Sequence, residues 1–149
     1  MNQSPTTTML GSGGGSQAAE RRLITVGARP CRVLVVDDDA DVRGVAVRML
    51  ERVGCQVATA ANGQEAVCYY GVHLRNLDLV LLDLVMPIMD GYDCCRALVE
   101  LNPNVRVLIV SGHSPLNADA MWRCPSVRGL LEKPFTNGAL IEAVRHALA

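Results

Sequence analysis

Asp37-Asp38, Asp83, Ser111 and Lys133 each stand where a short apolar run gives way to turn residues. The runs are Arg32 to Val36, Leu77 to Leu82, Val105 to Val110 and Val127 to Glu132. Apolar, β-branched runs of this length read as buried strands. In an open parallel sheet the carboxyl ends of the strands share one edge, and ligand chemistry sits there. Three carboxylates, a hydroxyl and an ammonium would then meet in one cleft. Carboxylates a few Å apart repel unless a cation joins them. Oxygen ligands with room for water suit Mg2+, with Mn2+ as an alternative. Such an ion beside an Asp can neutralise an incoming phosphoryl group and hold it in line with a carboxylate nucleophile. Lys133 offers a point charge for a phosphoryl oxygen and Ser111 a donor. Together these residues suit the formation of an aspartyl phosphate. Taken singly, the acids would only cap helices and Lys133 would only pair with one of them. Their recurrence at successive strand ends favours the cleft.

The elements that must position them alternate regularly from Cys31 onward. After the first strand, Asp41 to Val53 carries Val42, Val45, Ala46, Met49, Leu50 and Val53 at helical spacing, with Asp39 or Asp41 as cap and Gly54 as stop. Gln56 to Ala60 reads as the second strand, Asn62-Gly63 as a turn and Gln64 to about Leu74 as the second helix. The strand ending at Asp83 is followed by a Met86-Pro87 loop, an Asp90-Gly91 turn and a helix from Tyr92 to about Leu101. A short fourth helix is expected over about Leu116 to Arg123. A last helix follows Thr136 or Asn137, with Leu140, Ile141, Val144 and Leu148 on one stripe. Strands alternating with helices give a parallel sheet covered on both faces by right-handed crossovers. The expected fold is α/β: a flavodoxin-like (βα)5 three-layer sandwich with strand order 2-1-3-4-5, or half a Rossmann fold. No G-x-G-x-x-G follows the first strand, which disfavours dinucleotide binding.

The 149 residues allow one domain and a tail. Residues 1 to about 30 are rich in Ser, Thr and Gly and read as a flexible tail or linker, within which Glu20 to Val26 could form a short helical turn or an added strand, leaving 31–149 as the domain. The Gly11 to Ser16 run lacks the Gly-Lys-Ser/Thr of a P-loop. A net charge of −1 and 3% aromatic residues argue against nucleic acid as a partner. No apolar run approaches the ~18 residues of a membrane span, and no secretory signal opens the chain, so the expected location is cytoplasmic. Six cysteines show no zinc spacing and no C-x-x-C. Most lie in apolar periodic segments, where free thiols act as small buried hydrophobes.

Val35-Val36-Asp37-Asp38, Leu81-Leu82-Asp83-Leu84-Val85-Met86-Pro87, Val110-Ser111-Gly112 and Glu132-Lys133-Pro134-Phe135, in that order and spacing, resemble the receiver domain of bacterial two-component response regulators. The resemblance covers about residues 31 to 149. It implies that Asp83 accepts phosphate from a histidine kinase or histidine phosphotransfer protein. It also implies that Asp38 ligates Mg2+ directly, Asp37 partly through water, and the backbone carbonyl of Val85 completes the metal site. Ser111 would bond the phosphoryl oxygen, Lys133 would pair with it, and the Lys133-Pro134 peptide would be cis. Output would pass to a downstream protein through the fourth helix, fifth strand and fifth helix. Trp122 on that fourth helix reads as packing, with a partner anchor as the second reading.

Leu130 departs from the family's frequent aromatic three residues before the lysine, so coupling from Ser111 to an aromatic rotamer is not expected. Val85 and His113 flank the path of an attacking water: apolar Val85 is expected to slow hydrolysis, and His113 reads as a loop residue. Two other functions fit less of the pattern. A receiver fold used only for binding would have no need of the complete acid, serine and lysine set. A haloacid-dehalogenase-type phosphatase would use Asp37, Asp39 and Ser111, but it would leave Asp83 idle and lack an acidic pair after Lys133.

Overall fold

The computed structural model describes residues 22–112 and 123–149. Thr25–Val26 (β1) and Arg29–Pro30 (β2) form a small antiparallel hairpin. The main sheet follows: β3 (Arg32–Val36), β4 (Gln56–Ala60), β5 (Leu79–Asp83), β6 (Val107–Ser111) and β7 (Val127–Glu132). Its order is β4-β3-β5-β6-β7 and every pairing is parallel. Counting these five strands alone, that is 2-1-3-4-5, the flavodoxin-like arrangement. The helices are α1 (Ala40–Arg52), α2 (Gly63–His73), α3 (Gly91–Leu101) and α4 (Asn137–Leu148), with a 3-10 turn at Leu74–Asn76. The helix expected over about 116–123 lies outside the described residues up to Trp122, as does the loop residue His113; Arg123 is in a turn.

Side chains alternate across a strand, so each central strand feeds two cores. Val33, Val35, Leu79, Leu81, Leu108 and Val110 meet Ala46 and Leu50 of α1 and Leu140, Ile141 and Val144 of α4. Leu34, Val36, Val80, Leu82, Val107 and Ile109 meet Ala66 and Tyr70 of α2 and Cys94 and Leu98 of α3. β5 and β6 are buried along their whole length, whereas β4 and β7 at the edges are only partly covered. Each fully buried Leu, Val or Ile contributes about 1.5–3 kcal/mol, so the middle of the sheet is a stiff base for whatever its strand ends carry.

The helix starts are fixed by side-chain caps. Asp39 accepts from the N–H groups of Asp41 and Val42, Asn62 from Glu65, Asp90 from Asp93 and Thr136 from Ala139. Asn62-Gly63 and Asp90-Gly91, read from sequence as turns, are therefore a cap and the first helical residue. Asx side chains serve both purposes, and the dipeptide alone does not separate them.

The tail drawn to about residue 30 is shorter than the sequence reading has it. Ile24 is buried, its N–H donates to the Val53 carbonyl at 2.9 Å, and its carbonyl accepts from Cys31 at 3.1 Å. The hairpin is pinned by Arg29, which gives two 2.7 Å hydrogen bonds to Asp78. Asp78 also accepts the Arg32 N–H at 2.8 Å.

Candidate functional site

β3 ends at Val36 and β5 at Asp83, and their parallel register pairs Val36 with Leu82. Asp37 thus lies alongside the carboxyl end of β5. Both carboxylates are buried, while Asp38, one residue further along, is exposed. One carboxylate oxygen from each of Asp37, Asp38 and Asp83 lies within 4.8 Å of the others. Lys133 follows β7 and reaches across: its Nζ is 2.7 Å from Asp37 Oδ2 and 3.3 Å from Asp83 Oδ2. The Lys133 N–H donates to the Ser111 carbonyl at 2.9 Å, and the Lys133-Pro134 peptide is cis. Ser111 is buried at the end of β6, in register with Glu132.

Electrostatics follow from this crowding. Burial, then the charge of Asp37, pushes the Asp83 carboxyl above the ordinary range, and Lys133 only partly opposes them. Burial works to lower the Lys133 ammonium, but its hydrogen bond to Asp37 and the charges of Asp83 and Asp37 outweigh it and hold Lys133 above its usual value. Lys133 thus stays charged beside two acids, one of which resists ionisation. Hard oxygen donors this close, with one cation between them, match what a divalent ion requires. Asp37, Asp38 and Asp83 would hold it, and the cleft would then balance its charge.

The backbone around the cleft is tightly specified. Asp37 Oδ1 accepts the Asp39 N–H at 2.9 Å, which turns the chain into α1. Arg43 Nη1 donates to the Asp37 carbonyl at 2.7 Å. A Cβ on Gly91 would stand 2.5 Å from the Asp83 carbonyl oxygen and 2.6 Å from Leu84 Cα. Only glycine lets the start of α3 approach the end of β5 so closely. Between them, Ile88 adopts φ 71°, a left-handed conformation strained for a β-branched residue.

Val85 donates its N–H to Asp83 Oδ1 at 3.4 Å, and its side chain is 76% exposed beside the cleft. Leu130 is half-buried, in register with Ile109, and packs against the core on the α2 and α3 side.

Arg43 and Ile88 were not singled out from sequence, and Gly91 was read only as part of a turn. Arg43 carried a readable signal, since a cation in the first turn of a helix opposes the macrodipole and needs an acceptor upstream. The Gly91 contact and the Ile88 backbone leave no mark in residue type or spacing.

A sequence model for the response regulator receiver domain matches residues 33–145. The response regulator receiver protein CpdR of Brucella abortus is 30% identical over 117 residues, covering 78% of this chain and 96% of that protein. A protein-glutamate methylesterase/protein-glutamine glutaminase of Rhodospirillum centenum is 36% identical over 129 residues, 83% of this chain but only 28% of the relative. Among solved structures, the CheX-CheY-BeF3-Mg2+ complex from Borrelia burgdorferi superposes with a TM-score of 0.76 at 28% identity, covering 88% of this chain and 98% of that one.

Proposed function

The chain belongs to the family of response regulator receiver domains, and from that premise we propose that Asp83 is its phosphoacceptor. The donor is the phosphohistidine of a histidine kinase or phosphotransfer protein. An Asp83 carboxylate oxygen attacks phosphorus in line, the P–N bond breaks and a P–O bond forms. Asp38, Asp37 and Asp83 would hold Mg2+, with the Val85 carbonyl as a further ligand. The ion, when bound, supplies positive charge for the phosphoryl oxygens. Lys133 would neutralise one of those oxygens, and Ser111 would donate to another.

The observation that carries this reading is the convergence of three carboxylates within 4.8 Å, with Lys133 between Asp37 and Asp83 at 2.7 and 3.3 Å. The burial that raises Asp83 is consistent with a nucleophile that becomes reactive once a cation enters. Residues 31–149 form the receiver unit, to which the hairpin is an N-terminal extension. Output passes to a downstream protein over the side of the fold that carries β7 and α4. The methylesterase match spans 28% of that relative, and its activity is not carried over. Among the described residues no helix is long and apolar enough to cross a membrane.

The test is incubation with Mg2+ and acetyl phosphate, read by intact mass. The expected result is one added phosphate on the wild-type chain, none on Asp83→Asn and none when the metal is chelated. An Asp83→Asn chain that gains the same mass would place the acceptor elsewhere. Val85 exposes an apolar side chain where water must approach. Val85→Asn is expected to shorten the phosphoryl lifetime, and an unchanged lifetime removes that role from Val85.

A further inference from the structure

Cys31 and Cys55 stand immediately before β3 and β4. The residues after them, Arg32 and Gln56, are partners in the parallel register, and the Gln56 N–H donates to the Cys31 carbonyl at 2.9 Å. The two cysteines therefore lie side by side on neighbouring strands. Adjacent strands are ~4.8 Å apart, inside the ~4.4–6.8 Å Cα separation that a disulfide spans. Both side chains also point the same way. Val33 and Val35 of β3 and Val57 of β4 face the α1 and α4 side, and Cys31 and Cys55 belong to that same core by alternation. The two thiols are close enough to perturb one another's ionisation.

We propose that Cys31 and Cys55 are a redox couple, closing to an intramolecular disulfide on reaction with a hydroperoxide. The two thiols are not equivalent. Interaction with the Cys31 thiol, helped by the Arg145 guanidinium, outweighs burial and holds Cys55 below the usual thiol range. Interaction with the Cys55 thiol and its own burial push Cys31 up. The Arg145 guanidinium near Cys55 makes it the nucleophile and leaves Cys31 as the resolving thiol. The Cys55 thiolate attacks one peroxide oxygen, the O–O bond breaks, and the other oxygen leaves as alkoxide or hydroxide and takes up a proton. The resulting sulfenic acid is attacked by the Cys31 sulfur. The S–O bond breaks, an S–S bond forms, and the hydroxyl leaves as water with the Cys31 proton. Two thiols are oxidised to one disulfide, and the hydroperoxide is reduced to an alcohol, or water, and water. Burial pushes Cys94 and Cys95 up to about 12 and about 11, so they stay thiols and react slowly.

The hairpin governs access. Cys31 and Cys55 are 0% and 5% exposed, and the Ile24 backbone bridges Val53 and Cys31 above them. Arg29 holds that hairpin to Asp78. Loosening the clamp is expected to expose the couple without touching the phosphoacceptor cleft.

The whole chain would be treated with hydrogen peroxide in its folded state, alkylated after denaturation, digested without reduction and sequenced by mass spectrometry. The expected product joins the Cys31 and Cys55 peptides with the loss of two hydrogens and is reversed by dithiothreitol. Arg29→Ala is expected to form it several-fold faster. In Cys31→Ala, Cys55 is expected to stop at a sulfenic acid that dimedone traps. The proposal is overturned if wild-type Cys31 and Cys55 both remain alkylatable at peroxide doses that oxidise methionines. It is equally overturned if Cys55 advances to sulfinic acid while Cys31 stays free. The wild-type digest decides the matter even if Cys31→Ala does not fold.

Discussion

Asp78 and Asp83 flank the same strand, and their surroundings could hardly differ more. Asp78, at the amino end of β5, takes two hydrogen bonds from Arg29 at 2.7 Å and one from the Arg32 N–H at 2.8 Å. Burial works to raise it, but Arg29 and the Arg32 backbone outweigh that and hold it below the ordinary carboxylate range. Asp83, at the carboxyl end, is raised by burial and by Asp37, with one shared lysine in opposition. One edge of the sheet has matched its charges, and the other has gathered more negative charge than Lys133 offsets. The amino edge therefore contributes stability, whereas the carboxyl edge gives some up, as the proposed binding of a cation and a phosphoryl group would require.

The sharpest way to break this contrast is to remove the cation seated between the acids. Lys133→Met leaves buried Asp37 and Asp83 without it. Breaking a buried pair of this kind costs on the order of 3 kcal/mol. The loss should appear in urea unfolding without metal and shrink when Mg2+ is added, because the ion takes over part of the compensation. A loss of the same size with and without Mg2+ would show that Lys133 acts through packing and not through charge.

How much of the contrast sequence could reveal differs between the edges. Asp37, Asp38, Asp83, Ser111 and Lys133 were legible because each interrupts or ends an apolar run, and strand periodicity then places them at one edge. The sheet order was legible for the same reason, since five buried runs alternate with helical patterns. The clamp of Arg29, Asp78 and Arg32 was not. Strands of two residues, such as Thr25–Val26 and Arg29–Pro30, are too short to show a period, and they lay inside what read as a linker. Pairing between Arg29 and Asp78 spans 49 residues of sequence, and no local pattern encodes it. The close approach of Gly91 to Asp83 and the left-handed Ile88 are likewise tertiary facts.

The same substitution made at the two ends of β5 should move stability in opposite directions. Asp78→Asn removes the anion that orders Arg29 and the Arg32 N–H and is expected to cost about 2 kcal/mol. Asp83→Asn relieves burial of a charge next to Asp37 and should stabilise the metal-free chain by roughly 1 kcal/mol. The pH profiles should diverge as well. Asp78 has a depressed folded value, so its contribution is full above the unfolded carboxylate value of about 3.9 and disappears as pH falls through the lower folded value. Asp83 has a raised folded value, so its penalty is complete above that value and is relieved as pH falls toward about 3.9. Unfolding free energies between pH 3 and pH 7, measured with chelator present, test both signs. If both variants lose stability, the carboxyl edge is not strained by its acids.

The smallest effect is expected in the loop that joins the strained edge to α3. Ile88 holds φ 71° with a side chain that is 77% exposed, so it contributes little burial to offset the backbone cost. A left-handed L-residue costs about 1–2 kcal/mol, and glycine removes that cost while adding up to about 1 kcal/mol of unfolded-chain entropy. Ile88→Gly should therefore raise stability by only about 0.5 kcal/mol. Its second readout is more telling. A freer backbone at residue 88 lets the loop after Asp83 sample more positions, so phosphorylation by acetyl phosphate should slow even as the fold gains stability. Faster phosphorylation together with greater stability would mean that the strain at Ile88 does not serve the cleft.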